Sequence, residues 1–195
     1  MITVGSTRFV RPARLAVVAA ALTVAGFAAP FAASVSAAPG IPGCPSTTEI
    51  VSGFSKGLGY LVEDGSLSRG EARDARSQFA AWAADQKGLG CAMRDGMMKS
   101  GAKVLAFVGL TPAEMKDAYN AGQSLSAMAA ANGHTEGELV DFLNGIVDDG
   151  LDAFVAAGAF DADVRDAIDA KAEEHISWAV DYEKGDPAPE HHGQK

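Results

Sequence analysis

From Leu139 onward, apolar positions advance in steps of three and four. Leu139, Phe142, Leu143, Ile146, Val147, Phe154 and Val155 fall on one side of a helix. A second stripe follows, with Val164, Ala167, Ile168, Ala172, Ile176, Ala179 and Val180. Strictly alternating runs, the mark of half-buried strands, are almost absent. Four helix starts are marked by Ser or Thr with Glu three residues later: Ser46 with Glu49, Ser68 with Glu71, Thr111 with Glu114, and Thr135 with Glu138. In such a capping box each side chain accepts a backbone N–H that the helix leaves unbonded. Pro112 suits a first helical position, where its missing N–H costs no bond. Gly65, Gly88, Gly90, Gly122, Gly133 and Gly158 fall where helices should stop. These signals predict helices at about 46–63, 68–86, 91–108, 112–120, 124–132, 136–157 and 161–183.

The expected fold class is therefore all-α, a compact bundle of about 5–7 helices built from helical hairpins, with one disulfide. Cys44 and Cys91 are the two cysteines, and their distant spacing suits a structural bond better than a redox or metal pair. If the first two helices form an antiparallel hairpin, the chain returns to its starting end and the cysteines meet there. A faint repeat supports the hairpins. GLGYLVEDGSL from Gly57 parallels GLDAFVAAGAF from Gly150, and WAAD at Trp82 parallels WAVD at Trp178. Each copy reads as a hairpin turning at Gly65 or Gly158, with the central helices packed between the two.

The N-terminus adds a destination. Arg8, Arg11 and Arg14 precede an apolar stretch from Leu15 to Ala29, and small residues then lead to Val35 and Ala37 before Ala38. This is the pattern of a Sec signal peptide cleaved before Ala38, and the apolar run is short of the about 20 residues that span a bilayer. The expected organisation is a signal peptide at 1–37, a single helical domain at 38–184 and a disordered tail at 185–195. The protein is expected outside the cell or in its envelope, with no transmembrane segment after cleavage. Losing three arginines takes the net charge from −9 to −12. Residues 38–133 hold nine acidic and nine basic residues, whereas 134–190 hold sixteen acidic and three basic. The acidic half would face water or a basic protein or envelope partner.

Candidate chemistry is sparse. Ala129, Gly133 and Leu139 have the spacing of a helix-turn-helix, but the second helix opens with Glu136, Glu138 and Asp141 and no cation. Phosphate neutralisation supplies much of DNA affinity, so no nucleic-acid partner is expected. Asp149, Asp152, Asp161 and Asp163 are candidates for a divalent-cation site, although from Asp161 an EF-hand's glycine and glutamate positions hold Asp166 and Ala172. The plainer reading makes Asp161 a helix cap, with Asp163 and Asp166 favouring the positive helix end. Cys91, Met93, Met97 and Met98 could be soft copper ligands, but a helical methionine stripe is expected to be core. Of the histidines, His134 follows a turn, His175 borders the core, and His191 and His192 lie in the tail. Glu63 and Asp64 read as solvated acids at a helix end. No Gly-x-Ser-x-Gly, His-Glu-x-x-His or phosphate-loop pattern occurs, so no catalytic residue and no cofactor are expected.

The run LTPAEMKDAYNAGQSLSAMAAANGHTEGELVDFL, followed by GLDAFVAAGAFDADVRDAI, resembles a helical module of unknown function found in secreted and surface proteins of Gram-positive bacteria. The resemblance covers about residues 110–170. Gln123 between the glycine and Ser124, and Phe160 in place of leucine, depart from the module's pattern. It implies a fold and a location but transfers no active site. The leading expectation is an exported helical binding or structural module. The alternatives are a lipid or haem carrier, with an apolar cavity among Phe107, Met115, Tyr119, Phe142 and Phe154, or a weak divalent-cation binder.

Overall fold

The computed structural model describes residues 43–182. The expected signal peptide and tail lie outside the described residues. Within them are seven helices: α1 Thr47–Glu63, α2 Arg69–Asp85, α3 Leu89–Phe107, α4 Pro112–Asn120, α5 Leu125–Ala131, α6 Glu136–Ala156 and α7 Ala162–Ala179. The fold is all-α with one disulfide, and among the described residues no helix is long and apolar enough to cross a membrane.

Local chemistry fixes the starts. All four capping boxes form: in α1 the Glu49 N–H donates to Ser46 Oγ at 3.2 Å, and the Ser46 N–H donates to Glu49 Oε2 at 2.8 Å. Equivalent pairs open α2, α4 and α6. These bonds hold all four glutamates below the usual carboxylate range. Backbone N–H groups contribute most at Glu49 and Glu138, and hydroxyls contribute most at Glu71 and Glu114. The ends are equally local. After α6 the Gly158 N–H returns to the Val155 carbonyl and the Ala159 N–H to that of Phe154. This double closure requires a left-handed residue, which glycine supplies without a Cβ penalty. The same pair of bonds closes α3, α4 and α5.

Three details depart from expectation. Gly90 terminates nothing and is buried in the first turn of α3, which starts at Leu89 rather than Cys91. A Cβ on Gly90 would stand 1.7 Å from the Pro45 carbonyl oxygen, so glycine lets the segment before α1 lie against α3. Asp161 occupies the cap position of α7, but its side chain makes no capping bond; Asp161 Oδ1 accepts instead from Gln78 Nε2 at 3.2 Å. Finally, α7 stops at Ala179 because the chain there is engaged elsewhere. The Val180 carbonyl accepts from the Ser126 N–H at 2.8 Å, and Asp181 from the Ser126 hydroxyl at 2.7 Å.

Packing follows the repeat. α1 pairs with α2 and α6 with α7, the two most extensive helix contacts of the fold. The repeat positions Leu58 and Leu151, Leu61 and Phe154, and Leu67 and Phe160 are all buried, and the turn glycines Gly65 and Gly158 share a positive φ. Aromatic rings join the hairpins. Phe54 stacks on Phe79 at 4.1 Å and on Phe160 at 5.6 Å, and Trp82 meets Phe154 edge-on at 5.5 Å. The disulfide links Cys44 to Cys91 with their Cα atoms 4.8 Å apart, as the hairpin return requires.

Candidate functional site

A cavity of about 260 Å³ lies between the two hairpins. The sequence of α1 creates it. Ile50, Phe54, Leu58 and Leu61 recur at helical spacing and pack inward, while Gly53 and Gly57 interrupt the same face. A Cβ built on either glycine meets no heavy atom within 4 Å, so a side chain at either position would enter open space without a clash. Phe79, Phe154 and Phe160 supply aromatic walls, and Met93, Ile168 and Ala172 complete the apolar lining. An engineered apolar cavity of about 150 Å³ holds benzene, so this volume suits about ten heavy atoms.

Polar groups also line the cavity: Glu49, Tyr60, Lys171 and His175. Lys171 is held rather than free. Its ammonium donates to Glu174 and lies 3.2 Å from Asp64 Oδ2, with 18% of the side chain exposed. The Glu174 bond does most to raise the lysine pKa; burial opposes it, and Asp64 adds to the rise. Burial pushes the Asp64 carboxyl up, but bonds from Ser66 and Lys171 outweigh it and leave the group below its usual range. Asp64 caps α1 and Lys171 belongs to α7, so this ion pair joins the hairpins beside the cavity.

The cavity is not the one expected from sequence. Phe107, Met115, Tyr119, Phe142 and Phe154 do not share a space. Phe107 stacks between His134 and Phe142 at 4.1 and 4.4 Å, Met115 and Tyr119 line a shallow surface depression, and Phe154 alone reaches the cavity. Sequence reasoning missed Gly53 and Gly57. Three glycines inside one helix, Gly53, Gly57 and Gly59, were the available signal, because each costs about 1 kcal/mol relative to alanine; the first two line the cavity.

The other candidates divide. Cys91 is bonded to Cys44, which removes it from any copper set. The methionine stripe is core only at Met93; Met97 and Met98 are 42% and 70% exposed. Ala129 and Leu139 are fully buried across the Gly133 turn, so the helix-turn-helix spacing works as packing, and Glu136, Glu138 and Asp141 are exposed. The cation candidates are not gathered: Asp152 bonds Arg165 at 3.0 Å, Asp161 bonds Gln78, and Asp149 and Asp163 are exposed. Among the described residues no group of three or more His, Cys, Asp or Glu could hold a metal ion.

Arg165 takes the centre of the acidic hairpin instead. Its guanidinium bonds Asp148, Asp152 and Asp169 and approaches Asp166 at 3.4 Å. The half-buried Asp169 carboxyl is raised above its usual 3.8, first by burial and then by repulsion from Asp148, with Arg165 opposing. A raised acid binds its proton more tightly in the folded chain, so its contribution to stability falls as pH climbs from about 4 towards neutrality. The capping glutamates and Asp64 act oppositely, adding stability as pH rises through the ordinary carboxylate range. Asp169→Asn is therefore expected to retain more of the wild-type stability at pH 7 than at pH 4, as urea denaturation at the two pH values will measure. A larger loss at pH 7 than at pH 4 contradicts this.

Comparison with family models, curated proteins and solved structures finds no match to this chain.

Proposed function

We propose that this chain is an exported helical binding module that carries a small apolar or amphiphilic molecule in the cavity between its hairpins. The observation that carries this reading is the apolar cavity between the hairpins, with Gly53 and Gly57 in its wall. Alanine at either position would improve the helix, so two glycines in the cavity wall carry a cost to stability. A concave apolar space with a few polar groups is also the common form of a small-molecule site. The signal-peptide pattern before Ala38, the disulfide and the resemblance to surface-protein modules support a place outside the cytoplasm. Of the two carrier ligands considered, a lipid-like chain suits this volume, whereas haem is a macrocycle several times too large. No catalytic step is proposed.

The test is calorimetric titration of purified residues 38–195 with 1-octanol, together with thermal unfolding. The expected result is saturable binding and a Tm that rises with ligand concentration. Gly57→Leu places a side chain in the cavity. It is expected to weaken binding by at least about tenfold while leaving the unliganded Tm at or above the wild-type value. Absence of saturable binding, or unaltered binding to the variant, overturns the proposal.

A further inference from the structure

We infer that the cavity selects an amphiphile with an uncharged or cationic head and discriminates against carboxylate heads such as those of fatty acids. The inference rests on the cavity being a ligand site and concerns what its polar groups accept.

A fatty-acid site ordinarily offers an unpaired cation or several hydrogen-bond donors to the carboxylate, because a charged head taken from water needs a partner. Here the charge of the lysine lining the cavity is already offset. Its ammonium holds Glu174 and Asp64, carboxylates from α7 and from the end of α1. A third carboxylate, Glu49, lines the cavity itself and is kept ionised by bonds from Ser46. Three acids against one lysine leave a net negative charge beside the cavity. An incoming carboxylate meets a lysine whose charge two acids already offset, together with the repulsion of all three carboxylates. A cationic head meets the opposite field, with the ring of Tyr60 in the lining as a further partner for a quaternary ammonium. The charge of the whole chain has the same sign. The apolar portion fits the volume of about ten heavy atoms.

The experiment titrates residues 38–195 at pH 8 and low salt with three eight-carbon probes below their micellar concentrations: octyltrimethylammonium, 1-octanol and octanoate. Octanoate is expected to bind about tenfold more weakly than octyltrimethylammonium, the ratio produced by a partly screened unit charge several ångströms away. 1-Octanol is expected between them, and about 1 M sodium chloride should collapse the ratio. Glu174→Gln keeps the shape of an exposed residue but removes one of the two acids on Lys171. It is expected to tighten octanoate binding several-fold and weaken the cation. Gly57→Leu must abolish binding of all three, which separates occupancy of the cavity from adhesion of cations to an acidic surface. Octanoate binding as tightly as the cation, or a ratio indifferent to salt and to Glu174→Gln, overturns the head-group inference while the carrier reading stands. Failure of all three probes to bind overturns the carrier reading itself.

Discussion

Replacing Phe154 with alanine is expected to lower the free energy of unfolding by about 4 kcal/mol. The residue is 1% exposed, and its ring touches Trp82 at 5.5 Å, Phe160 at 5.6 Å and Phe79 at 6.1 Å. It thus ties α6 to α2 and to the turn that opens α7. Truncation removes the transfer energy of a large side chain and the offset ring contacts of three neighbours. It also enlarges a cavity the ring already borders. Phe154→Leu retains most of the volume and is expected to lose less than half as much. Urea denaturation decides: the midpoint should fall with an unchanged m-value. A loss below about 1.5 kcal/mol for the alanine variant would mean that the hairpins repack around the gap.

Removing the disulfide should cost as much by a different route. Cys44 and Cys91 are separated by 47 positions, and closing a loop of that length restricts the unfolded chain by about 4 kcal/mol on the chain-entropy account. The folded state gives up little, since Gly90 and Pro45 stay in contact beside the bond. Cys44→Ser with Cys91→Ser is therefore expected to unfold at lower urea while keeping its helical circular dichroism in native buffer. The m-value should rise modestly as the unfolded chain expands. A loss below about 1 kcal/mol would show that the unfolded chain already keeps the first hairpin together.

The two largest effects differ in how visible they were in the sequence. Capping boxes such as Thr135 with Glu138 require residues three apart, so one glance along the chain locates the helix start, and the bonds form as written. The disulfide was legible because two cysteines and one hairpin return leave a single pairing. The cavity was not. Its walls come from α1, α2, α3, α6 and α7, and only docking of the hairpins brings Gly53 and Gly57 into one lining with Phe79, Phe154 and Phe160. Phe107 and Phe142 looked like ligand-facing aromatics, but they satisfy each other by stacking with His134. The aspartates of the last hairpin are dispersed for a similarly nonlocal reason. Arg165, on the same helix as Asp161 and Asp163, turns back to Asp148 and Asp152 on α6. Asp161 shows the limit of local reasoning: its position is a cap, but a glutamine 83 residues away claims the carboxylate.

The disulfide also defines a ring. Residues 44–91 form a closed covalent loop that contains all of α1 and α2, whereas α6 and α7 lie outside it. What holds the second hairpin to the ring is side-chain contact: the aromatic cluster, Gln78 with Asp161, and Lys171 with Asp64. No backbone hydrogen bond within either hairpin has to break for the two to separate by a few ångströms. The bond therefore fixes the first hairpin's share of the cavity wall in a covalent ring, while the second hairpin's share is set by packing.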